Sequence, residues 1–307
     1  MKHALTDLLE NRVLAEEIDQ LGHLSVPFYE ARALAACRRL AESLGCNLSA
    51  YAATGIEFTL VDAYLRNLRE QFIEAPLRVR GGVLDASATH MRFYQELINI
   101  DRDELAATFI YQFELQYRES RAPVAFNEAQ FSQAKNAVIE LPQHGQPRTL
   151  DLKRPPRRLS LAEAQSMQLG RTRPRKIEVD ECDETGRYLP ERFTHLPYSG
   201  VAEDELALEW VFHTTDGQEL GIADLESRNA LFSLPRAGDQ IQVFNATVDI
   251  GSKVFQRAHW VFNLDTAEPV SWATTVCLPL DLEARRSVAI PEEMRASMTA
   301  HHRPELR

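Results

Sequence analysis

The sequence predicts an α+β architecture written in two tandem copies. Three features carry that prediction. A short strand runs through an Asp-x-x-Gly turn into one helix, a train of long alternating segments follows, and both return at a fixed offset. Asp19 and Asp183 stand 164 positions apart, and so do Gly22 and Gly186. The same spacing of 164 relates Asp62 to Glu226, Leu77 to Ile241, Val79 to Val243, and Leu84-Asp85 to Val248-Asp249. It returns near the end, where Val124-Ala125-Phe126 matches Val288-Ala289-Ile290. A constant register across so many landmarks marks two homologous domains.

Each element follows from local chemistry. Arg12 to Ile18 alternates around Val13, Ala15 and Ile18 and predicts the first strand. Gly22 allows a tight turn after Asp19, Ser25 can cap, and Pro27 suits the first turn of a helix running through Ala33, Ala36, Cys37 and Leu40 to about Ser43. Strands are expected over Gly55 to Tyr64, Leu77 to Asp85, His90 to Asn99 and Leu105 to Tyr117. Their alternation suits antiparallel pairing with one wet face. A helix starting at Asn127 and running to Leu141 closes the first copy. In the second copy the first strand is expected over Lys176 to Asp180, and the later ones over Glu219 to Asn229, Asp239 to Ile250, Val254 to Leu264 and Val270 to Leu280. Pro190, Pro197 and Gly200 break what should be its long helix, leaving Glu203 to Phe212 as a displaced helical stretch.

The copies are joined by a Pro-rich basic stretch containing Pro142, Pro147, Pro155 and Pro156, followed by the capping box Ser160-Leu161-Ala162-Glu163 opening a helix to about Leu169. The expected division is therefore a first domain over 1–141, a linker over 142–175 and a second domain over 176–307.

Composition narrows the function classes. With 44% hydrophobic and 26% charged residues the chain suits a globular protein with a sizeable core. A net charge of −11 argues against nucleic-acid binding, which needs a basic face. No apolar run is long enough for a membrane span, and Met1-Lys2-His3 leads into no signal-peptide core. Cys37, Cys46, Cys182 and Cys277 show neither metal-ligand spacing nor a disulfide framework. These features predict a cytoplasmic, reduced protein needing no metal or cofactor. There is no Gly-x-Ser-x-Gly elbow, no phosphate-binding Gly-rich loop and no His-Glu-x-x-His helix.

The run Asp19-x-x-Gly22-His23-x-Ser25-x-x-x-Tyr29 resembles the signature opening hotdog-fold acyl-CoA thioesterases of the 4-hydroxybenzoyl-CoA thioesterase type, with Ser25 where that family usually has Asn. Asn67-Leu68-Arg69-Glu70 and Val83-Leu84-Asp85-Ala86 resemble its later strands, most closely in the betainyl-CoA thioesterase subgroup. That subgroup has Glu and His where this chain has Asp62 and Tyr64, so its substrate is not carried over. The resemblance implies a double hotdog, each domain a long helix wrapped by an antiparallel sheet. It further implies an internal pseudo-dimer and leaves open further association into a homo-oligomer.

It also implies an acyl-CoA thioesterase in which Asp19 is the catalytic carboxylate and the Val26 backbone N–H polarises the thioester carbonyl. Gly22, Ser25 and Tyr29 are the signature's other positions and would line the substrate. His23 could orient a water or the substrate, or simply bond the turn. Asp183 is the second copy's counterpart of Asp19, and the Asp19 site is favoured because it keeps the Gly-His pair and an unbroken helix. Asp62 and Glu226, at equivalent strand positions, could each supply a second carboxylate, against the plainer reading of a charged residue on a wet face. Arg157 and Arg158 head a basic cluster over 148–176 that could receive CoA phosphates or could be a solvated linker. The alternative function is a non-catalytic double hotdog that binds acyl-CoA or acts as a scaffold.

Overall fold

The computed structural model describes residues 4–19, 21–193, 196, 211–215 and 217–307. The chain divides into two compact units, 1–148 and 149–307.

In the first unit β1 (Thr6–Arg12) leads to α1 (Val26–Ser43), then α2 (Leu48–Ala53), β2 (Ile56–Asn67), β3 (Pro76–Ala86), β4 (His90–Asn99), β5 (Glu104–Tyr117), β6 (Pro123–Val124) and α3 (Glu128–Asn136). The sheet is antiparallel in the order β1–β3–β4–β5–β2, with β6 on β5. One face carries α1. The paired row Val83, Phe93, Tyr111 and Ala63 belongs to it, since the Tyr111 hydroxyl reaches Glu30 of α1 at 3.5 Å. Ala33, Ala36, Cys37 and Leu40, spaced for one helical face, are buried there. Gly45, at φ +84°, ends the helix in the left-handed conformation that glycine adopts most readily. The opposite face is crossed by the segment after α3. Ile139 donates its amide to Val83 O (2.8 Å), and its side chain fills the space over Gly82.

The second unit contains α4 (Leu161–Ser166), β7 (Gly170–Arg171), β8 (Arg175–Lys176), β9 (Val211–His213), β10 (Glu219–Leu231), β11 (Gln240–Ile250), β12 (Phe255–Asn263), β13 (Pro269–Asp281), β14 (Arg286–Ser287) and α5 (Glu292–Ala300). The antiparallel order is β10–β13–β12–β11, with β7 and β8 together on β11, as β1 lies on β3. The 164-residue offset relates the long strands of the two units, although β9 stands where it would place α2. The bulges at Leu60/Asp62 and Val83/Asp85 recur at Asp224/Glu226 and Thr247/Asp249, and α3 recurs as α5. One face buries Trp260, Trp272 and Phe244 beneath Leu159, Ala164 and Leu169.

Several expectations are corrected. Arg12 to Ile18 is not a strand: β1 ends at Arg12 and Ala15–Glu17 is a 3-10 turn. Glu17 causes this, accepting the Leu14 amide (2.9 Å) and pairing with Arg32 of α1 (2.6 Å). Glu181 coils Val179–Glu181 in the same way, accepting the Glu178 amide and pairing with Arg175, so of the strand expected over Lys176 to Asp180 only Lys176, at the end of β8, is one. The helix from Asn127 stops at Asn136, because Val138 turns to bridge Val83. Residues 142–148 go with the first unit and 149–175 with the second, where Leu150, Leu159 and Leu169 are buried. Of the helical stretch expected over Glu203 to Phe212, 203–210 lie outside the described residues, and Val211 and Phe212 form a strand.

Candidate active site

The loop between the first 3-10 turn and α1 closes on itself. Ile18 bridges Leu24, the Asp19 amide donates to His23 O (2.9 Å), and the Gly22 amide donates to Asp19 O (3.0 Å). Gly22, at φ +82°, takes the left-handed corner. The two oxygens of Asp19 divide their work. Oδ1 accepts the Leu21 amide (2.8 Å) and, at 3.4 Å, the His23 amide, while Oδ2 faces His23 Nδ1 at 3.1 Å. Nε2 of the same ring lies 3.7 Å from Glu70. One carboxylate oxygen thus builds the loop, and the other stands with an imidazole, its side chain 21% exposed.

The loop runs directly into α1, whose cap residue Ser25 donates its amide to Glu17 O (2.9 Å) and makes no side-chain cap bond. Val26 is the first helical residue, so its N–H has no carbonyl four residues back within the helix. Pro27 has no N–H, and the Phe28 amide donates to Ser25 O (3.0 Å). Local geometry therefore leaves Val26 as the first-turn donor suited to an oxyanion.

The second copy builds the same loop and then departs from it. Asp183 Oδ1 accepts the Thr185 amide (2.8 Å), the Thr185 hydroxyl (2.7 Å) and the Arg187 amide (3.1 Å). Burial pushes the Asp183 carboxyl up, but these bonds more than offset it and hold it below the usual Asp range. Arg187 replaces His23. At the position of Val26 stands Pro190, which carries no amide hydrogen at all. Sequence reasoning flagged Pro190 as a helix breaker and missed that it deletes the donor; the constant offset was the available signal.

The remaining candidates are dispersed. Tyr29 is 5% exposed and donates its hydroxyl to Arg69 O (3.2 Å), so it pins β2's exit to α1 and is not open to a substrate. Asp62 sits mid-strand in the paired row Asp62, Gln112, Arg92 and Asp85, on the face opposite α1. Glu226 is buried, and its Oε2 accepts the amides of Thr149 (3.0 Å) and Leu150 (3.1 Å), fixing the start of the second unit. Arg157 and Arg158 are exposed in that unit. The Arg157 carbonyl accepts Trp260 Nε1 (2.8 Å), and the Arg158 guanidinium lies 4.0 Å over the Phe232 ring. A shallow groove of about 590 Å³ is lined by Leu68, Arg69, Arg102 and Glu104, just beyond the end of β2. Among the described residues no cluster of His, Cys, Asp and Glu is arranged to hold a metal ion, and no helix is long and apolar enough to cross a membrane.

Residues 13–133 match the profile of the Thioesterase-like superfamily. The comparison with curated proteins gives no match. Among solved structures, the fold is similar to an acyl-ACP thioesterase from Bacteroides thetaiotaomicron VPI-5482 (11% identity, TM-score 0.63, 89% of this chain and 97% of that one). It is similar also to a putative oleoyl thioesterase from Lactobacillus plantarum (11%, TM-score 0.66, 90% and 96%). A third is the 12:0-ACP thioesterase from Umbellularia californica (8%, TM-score 0.66, 90% and 94%). At these identities the likeness establishes the double hotdog fold.

Proposed function

We propose that this double-hotdog protein, whose residues 13–133 match the Thioesterase-like superfamily, is a thioester hydrolase that cleaves acyl-CoA to free acid and CoA at the Asp19 loop. Asp19 acts as general base. It takes a proton from water as the water oxygen attacks the thioester carbonyl carbon, and the Val26 N–H receives the developing oxyanion. The carbon–sulfur bond then breaks and the thiolate leaves, so no strong general acid is required. His23, 3.1 Å from Asp19 Oδ2, orients the working oxygen.

The observation carrying this reading is the continuity of the closed Asp19 loop with a helix start that retains its first amide, against a second copy in which proline has removed it. A second reading concerns the thiol carrier. Two of the whole-chain structural matches are acyl-ACP thioesterases, and a carrier protein offers a thioester on the same kind of pantetheine arm. Thiol release measured over parallel panels of acyl-CoA and acyl-carrier-protein substrates separates the two. Turnover with neither panel, together with tight acyl-CoA binding, would instead establish the non-catalytic binding role.

A further inference from the structure

The β3–β4 hairpin of the first unit holds a second constellation, remote in sequence from the Asp19 loop. Ser87 Oγ lies 2.8 Å from His90 Nδ1, and His90 Nε2 lies 2.9 Å from Asp85 Oδ1. Arg92 holds the other Asp85 oxygen at 3.4 Å. A carboxylate beside Nε2 requires a proton there, which makes Nδ1 the acceptor for the serine hydroxyl. Ser87 Oγ also accepts the amides of Thr89 and His90, each at 3.1 Å. Those donors favour the ionised form of the hydroxyl. His90 is 30% and Asp85 44% exposed, so the group is open to a small ligand.

The ordinary explanation is that these side chains merely shape the turn. The second copy argues against it. There Gly251, Val254 and Gln256 occupy the positions of Ser87, His90 and Arg92, leaving only Asp249 in common with Asp85. The hairpin nevertheless makes the same closing bond, Gly251 N to Val254 O at 2.8 Å matching Ser87 N to His90 O at 2.8 Å, and keeps the same bulge. The turn forms without serine or histidine.

We infer that Ser87, His90 and Asp85 form a serine nucleophile site for activated esters, separate from the thioesterase loop. Ser87 Oγ forms a bond to the ester carbonyl carbon while its proton passes to His90 Nδ1. Collapse of the tetrahedral adduct breaks the bond to the leaving oxygen, which takes that proton from His90. Water, deprotonated by the same nitrogen, then releases the acid and restores the serine.

A fluorophosphonate probe tests this, because it phosphonylates activated serine oxygens with loss of fluoride. Peptide mass spectrometry of the labelled protein is expected to find the adduct on Ser87. Ser87→Gly and His90→Val install the second copy's own residues and so keep the hairpin. The first is expected to abolish the adduct, and the second to slow it at least ~100-fold. Acyl-CoA hydrolysis is expected to survive Ser87→Gly, and labelling to survive Asp19→Asn, so the two sites fail independently. No adduct on Ser87 in the folded wild type, or equal labelling of His90→Val, overturns the inference.

Discussion

At the scale of single residues, the proposed chemistry depends on one carboxylate and one amide hydrogen. Asp19→Asn keeps the acceptor that closes the loop and removes the base. It is expected to lower kcat by about 10²–10⁴-fold, measured as thiol release, with the melting temperature nearly unchanged. Val26→Pro is a sharper test, because proline is well tolerated at the first helical position and deletes only the donor. A loss of roughly 10²–10³-fold in kcat at unchanged fold is the expected outcome; full activity would move the oxyanion donor elsewhere. Asp183→Ala should retain most of the activity, since Pro190 already denies that loop an amide. Asp19, Gly22 and His23 were legible in the sequence because a tight loop must be local. Tyr29 and Glu226 were not, since their partners, Arg69 and Thr149, lie 40 and 77 residues away and no spacing rule reaches them.

At the scale of elements, the long strands and α1 were readable because alternation and a 3.6-residue stripe are direct consequences of one-sided burial. The 3-10 turns were not, because the residues that coil them, Glu17 and Glu181, act through Arg32 and Arg175. The segment after α3 shows how such side-chain devices fasten an element. His144 meets Glu96 at 2.5 Å, Arg80 meets it at 2.7 Å and Tyr94 at 2.9 Å, while Gly145 rests on the Tyr94 ring. Glu96 is 1% exposed; burial pushes its carboxyl up, and the three donors outweigh burial and hold it below the ordinary value. A depressed folded-state pKa contributes stability that is complete above the unfolded-state value and lost as pH falls through the folded one. Glu96→Gln is therefore expected to flatten the acid limb of the stability curve in denaturant titrations below about pH 4.3. Gly145→Ala would bring a Cβ to 2.5 Å from the Tyr94 ring. A cost of about 1–3 kcal/mol in the same titration is expected.

At the scale of the whole molecule, the two copies have kept the backbone of their long strands and exchanged their chemistry. The positions that carry Phe93, Tyr111 and Ala63 on the α1 face of the first sheet carry Arg257, Thr275 and Ser227 in the second, all of them buried. His259, beside Arg257, is held neutral by burial and by that guanidinium, with its pKa well below the usual histidine range. A buried face this polar is costly unless its groups find partners, so it cannot be the interchangeable core of a symmetric pair. Conversely the first unit keeps the Gly-His loop and the helix amide that the second has lost. A duplicated enzyme with two equivalent sites would keep both sets. Equilibrium titration with a non-hydrolysable acyl-CoA analogue is accordingly expected to give one site per chain, lost in Val26→Trp, where a bulky ring blocks the helix start. A stoichiometry of two would mean that Pro190 is no barrier and that an amide outside the first helical turn holds the carbonyl in both copies.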